Sequence, residues 1–167
     1  MAFVIRDFKP DDFENLWRLD QECFPPGIAY SRQELKIYMR RRGAITLVAT
    51  DGVDGDEKIG GFLVAHGGPT GHIITIDVAA AARRSGVGSL LLRAAEGRLL
   101  AAGSRAVGLE TAVDNLAALS FYKRHGYSVI RTWPRYYSNG VDALVMTKEI
   151  AARTQAAHTQ EYPLGNP

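Results

Sequence analysis

The sequence predicts a mixed α/β (α+β) domain in which one sheet carries helices on both faces, in the order β-α-α-β-β-β-α-β-α-β-β. Three observations predict it. Between Ala44 and Val78, segments rich in β-branched and apolar residues are joined by short polar turns, the pattern of an antiparallel meander. From His72 onward the pattern changes to strand, helix, strand, helix, which points to a βαβ unit in the second half. Finally, the 167 residues are 46% hydrophobic, enough to bury one core, while no apolar run approaches the length of a membrane span.

The elements follow in order. Phe3 to Phe8 reads as a strand. Pro10-Asp11-Asp12 opens a helix with an apolar face at Phe13, Leu16, Trp17 and Phe24, and Pro25-Pro26-Gly27 stops it. Ser31 with Glu34 three residues on is a capping box for a second helix reaching about Arg41. Strands follow at Ala44 to Thr50, Ile59 to Ala65 and His72 to Val78, separated by the turns Asp51 to Lys58 and Gly67 to Gly71. Val87, Leu91, Ala94, Ala95 and Ala102 mark one face of a helix from about Gly86, with Gly103 placed as its C-terminal stop. A strand from Ala106 to Val113, a helix from Leu116 to His125 and a strand from Tyr127 to Thr132 come next. After the loop Pro134 to Asp142, the last strand runs from Ala143 to Ile150. Residues 1–150 are thus expected to form one domain. The stretch 151–167 loses apolar periodicity and is expected to be a flexible tail.

Charge and cysteine content narrow the classes of function. Twenty Lys plus Arg against eighteen Asp plus Glu give a net charge of +2, milder than a nucleic-acid binder usually carries. Cys23 is the single cysteine, which excludes an internal disulfide framework and fits a reducing compartment. The opening stretch has no basic-then-apolar signal pattern, and Asp7, Asp11 and Asp12 argue against a transit peptide. The expectation is a cytoplasmic protein, monomeric or weakly dimeric, without a membrane or direct nucleic-acid partner. His66, His72, His125 and His158 show no metal-ligand spacing, so no metal is expected.

Two clusters carry chemistry. Strand His72 to Val78 runs through four alanines into Arg83-Arg84-Ser85-Gly86-Val87-Gly88-Ser89, where the long helix begins. Glycines there let backbone N–H groups approach an anion, and the helix start with two arginines adds positive charge, as a pyrophosphate requires. The plainer reading is a tight strand-to-helix turn with two solvated arginines. No Gly-Lys-Ser/Thr follows, so it is not a Walker turn, and the third glycine of a dinucleotide fingerprint is missing.

The second cluster lies downstream. Asn115 suits a helix N-cap, and Tyr122, seven residues later, falls on the same face two turns along. A capping Asn and a core Tyr would explain both without function. Glu110 is harder to explain that way. It interrupts an apolar strand that is expected to be covered on both faces, where a carboxylate is costly unless paired or used. A general base is one use, and a salt bridge to a nearby arginine is the alternative.

Taken together, these residues resemble the GCN5-related N-acetyltransferase (GNAT) superfamily over about residues 3 to 150. Its acetyl-CoA signature, Arg/Gln-x-x-Gly-x-Gly/Ala, is met by Arg83-Arg84-Ser85-Gly86-Val87-Gly88. Its second signature, Asn-x-x-Ala-x-x-Phe/Leu-Tyr and then Gly-Phe/Tyr, is met by Asn115, Ala118, Phe121, Tyr122, Gly126 and Tyr127. Within the superfamily the chain is most similar to the protein N-terminal acetyltransferases, including the bacterial ribosomal-protein alanine (RimI-type) enzymes. That narrower likeness rests on Cys23-Phe24-Pro25 with Tyr30-Ser31, on Leu109-Glu110, and on Arg135-Tyr136-Tyr137 with Asp142-Ala143-Leu144. Two positions depart from the pattern: Ala80 stands where the family commonly has Pro, and Thr111-Ala112-Val113 lacks the family's arginine.

The resemblance implies a central mixed, mostly antiparallel sheet of about seven strands flanked by about four helices. It implies acetyl-CoA as co-substrate, held by the backbone at Val78 and by residues Arg83 to Ser89, with Asn115 and Tyr122 alongside. It assigns Glu110 as general base and Tyr122 as general acid, in a direct attack without a covalent enzyme intermediate. Tyr30, Tyr136 and Tyr137 are expected to grip a protein or peptide N-terminus, with a ribosomal protein among the candidates. A lysine side chain or small-molecule amine as acceptor, and a non-catalytic acyl-CoA sensor, are the alternatives. Cys23 reads as a structural helix residue rather than an acyl carrier.

Overall fold

A computed structural model describes residues 2–52 and 55–151. The strands are β1 (Phe3–Asp7), β2 (Ala44–Asp51), β3 (Lys58–His66), β4 (Thr70–Val78), β5 (Ala106–Ala112), β6 (Ser128–Trp133) and β7 (Ala143–Glu149). The α-helices are α1 (Phe13–Cys23), α2 (Arg32–Arg40), α3 (Val87–Ala101) and α4 (Leu116–Arg124). Their order along the chain is the expected one. Seven strands form one sheet in the order β1-β2-β3-β4-β5-β7-β6, with every pairing antiparallel except β4 with β5. Residues beyond Ala151 lie outside the described part, as does the expectation of a flexible tail.

Local chemistry explains where the helices begin. Ser31 accepts from the Glu34 N–H while Glu34 accepts from the Ser31 N–H, the reciprocal capping that starts α2. Asn115 caps α4 by accepting from Ala118 N–H at 3.1 Å. Gly103, at φ 96°, ends the helix turn after α3 in a conformation that a side chain resists.

The sheet divides the core into two layers. On one face α3 and α4 cover Leu63, Ala65, Ile73, Val107 and Leu109. On the other, α1 and α2 cover Val48, Phe62 and Val64 with Leu16, Leu19 and Leu35. A β-bulge in the β3–β4 ladder makes Ile73 pair with Ala65 but Thr75 pair with Val64, leaving Ile74 as the extra residue. The bulge reverses side-chain alternation. Beyond it Ile76 packs with the α3 layer, whereas Thr75 and Asp77 turn toward α1.

The expectation that β5 is covered on both faces needs correction. Val107, Leu109 and Thr111 are buried, but Ala106, Gly108 and Glu110 on the opposite side are only partly so. The reason is the reach of the second layer: α1 packs on β3 and β4, and α2 packs on β2. That face of β5 is only partly covered.

Candidate active site

The parallel pair β4–β5 is joined at only three register positions, Thr70 with Ala106, Gly71 with Val107 and His72 with Gly108. β4 then continues to Val78 and β5 to Ala112, so the strands separate into a wedge. The wedge widens into a cleft of about 760 Å³ that runs from the start of α3 to the loop after β6.

At one end stands the turn into α3. Gly86 has φ 83° and nothing lies within 4 Å of a built Cβ there, so glycine is required by conformation rather than by space. A Cβ on Gly88 would come within 3.3 Å of the Phe121 ring, so close approach of α4 is the reason at that position. Arg84 also takes a left-handed φ of 64°. Leu90 N–H makes the first helical bond back to Gly86 O, and the amides of the first turn before it have no helical acceptor. Ser85 turns its hydroxyl to Ala82 O. Arg83 folds back along the floor, donating from Nε to Val78 O at 3.3 Å. Of the residues expected to hold acetyl-CoA, Val78, Arg83, Arg84, Gly86 to Ser89, Asn115 and Tyr122 line this cleft, and Ser85 lies in its turn.

Tyr122 of α4 lines the cleft. Its ring is buried between Phe121 and Tyr127, with centroids 5.3 and 5.7 Å away. Its hydroxyl has no hydrogen-bond partner among the described residues. Desolvation pushes the phenol well above its ordinary range. Such a group stays protonated at any working pH.

Glu110 and three tyrosines meet at the other end. Glu110 is not paired with an arginine, as one sequence reading allowed. Its Oε2 lies 2.6 Å from His72 Nε2 instead. The two side chains share the face of the sheet nearest α1 and α2, and Gly108, the register partner of His72, puts no side chain between them. The Glu110 side chain is 16% exposed and that of His72 39%, so the imidazole faces solvent behind the carboxylate. Tyr30, Tyr136 and Tyr137 border the same end. Tyr136 and Tyr137 stand edge to face at 5.0 Å. Burial first, and then the Glu110 charge for Tyr136 or Tyr136 itself for Tyr137, push both phenols upward.

Tyr30 is pinned on every side. Its N–H donates to Asp20 Oδ2 at 2.7 Å, its carbonyl accepts from Trp17 Nε1 at 3.1 Å, and its hydroxyl reaches Ile74 O at 3.4 Å. Tyr38 of α2 stands edge to face against it at 5.2 Å.

Cys23 borders the cleft and donates weakly to Val78 O at 3.5 Å. Desolvation, with Asp77 nearby, pushes its thiol upward despite Arg83, so it is a poor source of thiolate. Sequence reasoning missed His72, Tyr38, Asp20 and Asp77. His72 carried no signal beyond its residue type, because only the parallel register brings it to Glu110.

Comparison with known proteins bears on the fold and on the chemistry. The profile of the Acetyltransferase (GNAT) family matches residues 13–127. The N-alpha-acetyltransferase 30 of Schizosaccharomyces pombe is 32% identical over 119 residues, covering 68% of this chain and 77% of the relative. The crystal structure of Ard1 from Thermoplasma volcanium superposes with a TM-score of 0.80 at 28% identity, over 91% of this chain and all of that one. The ribosomal-protein-S18-alanine N-acetyltransferase of Escherichia coli superposes with a TM-score of 0.77 over 93% of this chain and 98% of its own, and at 20% identity it speaks for the fold alone.

Proposed function

The chain belongs to the acetyltransferase (GNAT) family, and on that basis we propose that this N-acetyltransferase moves the acetyl group of acetyl-CoA onto the α-amine of protein or peptide N-termini. The observation that carries the reading is the Glu110–His72 contact of 2.6 Å at the mouth of the wedge. A carboxylate backed by a part-exposed imidazole supports reading Glu110 as the proton acceptor for an entering amine. The acceptor class is supported by relatives named as N-alpha-acetyltransferases and by the tyrosine-lined entrance, which is suited to the backbone of the first residues of a peptide.

The residues present fit acetyl-CoA. Amide donors at the start of α3, with Arg84 beside them, suit the pyrophosphate. The unpaired edges of β4 and β5 suit an extended amide-bearing arm lying between them. Asn115 spends its side-chain oxygen on the helix cap, so its NH₂ remains to donate. Acetyl-CoA supplies an acyl carbon already activated as a thioester.

Each residue then has a task. A peptide α-amine has a reference pKa near 8, so part of it is neutral at pH 7. Glu110 accepts the remaining proton on Oε1, since Oε2 is engaged by His72, and gives that proton up to water once the product has left. Tyr30, Tyr136 and Tyr137 hold the acceptor backbone and exclude water. Tyr122, protonated and unpartnered, donates its proton to the departing sulfur. Positioning both substrates in one cleft removes much of the entropic cost of the encounter, so no covalent enzyme intermediate is required.

The test is CoA release from acetyl-CoA with short peptides starting in Ala, Ser, Met or Glu, each beside an α-blocked, lysine-containing control. Turnover restricted to free α-amines, and lost in Glu110→Gln, is the expected result. Turnover on the blocked lysine peptides alone would overturn it.

A further inference from the structure

Beneath the acceptor wall lies a pair of carboxyls that the reaction above does not use. Asp20, in the last turn of α1, and Asp77, near the end of β4, are 0% and 1% exposed. No Lys, Arg or His pairs with either among the described residues. Each has one oxygen satisfied. Asp20 Oδ2 accepts from Tyr30 N–H at 2.7 Å and from Gln21 Nε2 at 3.3 Å, and Asp77 Oδ1 accepts from the Thr75 hydroxyl at 2.5 Å. The remaining oxygens, Asp20 Oδ1 and Asp77 Oδ2, have no partner, although the two carboxyls are hydrogen-bonding neighbours. A single proton between them satisfies both.

We propose that Asp77 is a positioning residue for the acceptor site: it carries one proton, donates it to Asp20, and Asp20 in turn holds the Tyr30 wall against β4. The assignment rests on reading Tyr30 as part of the acceptor site. The proton belongs on Asp77 because Asp20 already receives two N–H donors, which favour its anion. Loss of solvent, and then the Asp20 charge, raise Asp77 well above the usual carboxylate range.

The surroundings do not relieve the pair. The Cys23 thiol of α1, Thr75 of β4 and the Tyr122 phenol of α4 face Asp77, and Glu34 of α2 adds like charge toward Asp20. Arg83 reaches the Cys23 sulfur at 4.0 Å rather than either carboxyl. Stripping the proton would oppose two anions in a dry site. Relief comes from moving the end of α1, and Tyr30 with it, away from β4. Because the folded state raises the proton affinity, the stability this pair contributes is present at low pH and lost as pH rises through the raised value.

Asp77→Asn tests this directly, since its amide offers a donor to Asp20 and an acceptor to Thr75 with no proton to lose. Melting temperature and acceptor KM would be followed from about pH 6 to about pH 9, where buried carboxylic acids titrate. The wild-type Tm is expected to fall relative to Asp77→Asn as pH rises, and the ratio of wild-type to variant KM to climb with it. Titration of the acceptor amine is common to both proteins and cancels in that ratio. Asp77→Ala, which removes the donor, is expected to raise KM at every pH. A Tm slope in Asp77→Asn equal to that of the wild type overturns the proposal, as does an Asp77→Asn KM at pH 6 as high as that of Asp77→Ala. Should Asp77→Ala fail to fold, the wild-type and Asn pair still decides. The Tm comparison needs no acceptor, so a wrong acceptor class and a wrong role for Asp77 give different results.

Discussion

Tyr122 is a phenol whose ring is fixed on two sides by aromatic neighbours and whose hydroxyl is left without a partner in a cleft. An unpartnered hydroxyl on the wall of a cleft is free to meet a ligand there, which is the basis of the acid role proposed for Tyr122. Replacing Tyr122 with Phe is expected to keep acetyl-CoA affinity close to wild type and lower kcat by about 10²-fold or more, the usual contribution of a positioned acid. Steady-state rates set against the Kd for acetyl-CoA separate the two effects, and an undiminished kcat removes the acid role. Tyr122 was legible in the sequence because its spacing from Asn115 was, and Glu110 because a carboxylate in an apolar strand breaks a rule. His72 and Asp77 were not. A histidine and an aspartate in a β-rich segment break no rule until the register and the bulge decide what they face.

Elements explain that blind spot. Read with strict alternation, His72 to Val78 puts His72 on one face and Thr75 and Asp77 on the other. The bulge at Ile74 brings all three to the α1 side, and nothing in the local residues announces the extra position. The turn into α3 is the opposite case, since its glycines are visible in the sequence and each has its own physical reason. Gly86 makes that reason testable. An alanine there meets no atom within 4 Å, so any loss comes from the left-handed backbone, which costs about 1–2 kcal/mol for an L-residue. Gly86→Ala is therefore expected to lower Tm by several degrees, at roughly 2–4 °C per kcal/mol for a chain of this size. It should also weaken acetyl-CoA binding, because relaxing the strain swings the amides of the first turn away from the pyrophosphate they are proposed to hold. Thermal melting and a CoA titration check both effects, and an unchanged Tm would show that the turn is softer than its dihedral implies.

At the scale of the whole molecule, the sheet is two halves with a weak seam. β1 to β4 form one antiparallel block and β5 to β7 another, and three register positions join them where each flanking ladder has at least five. A ligand lying in the wedge replaces the missing pairing and touches both blocks, α3 through its first turn and α4 through Asn115 and Tyr122. Binding then becomes linked to folding. At a ligand concentration of about 100 times Kd, linkage adds about 2.7 kcal/mol to the folded state, which corresponds to a rise of roughly 5–10 °C in Tm. A ligand that sat only on the start of α3 could produce the same rise, so the decisive measurement is where protection appears. Hydrogen exchange with and without CoA is expected to slow on both lips of the wedge, at residues 73–78 and 109–112, as well as at residues 86–89. Protection confined to the α3 turn would leave the seam open in the complex and overturn the proposed placing of the thioester between Glu110 and Tyr122.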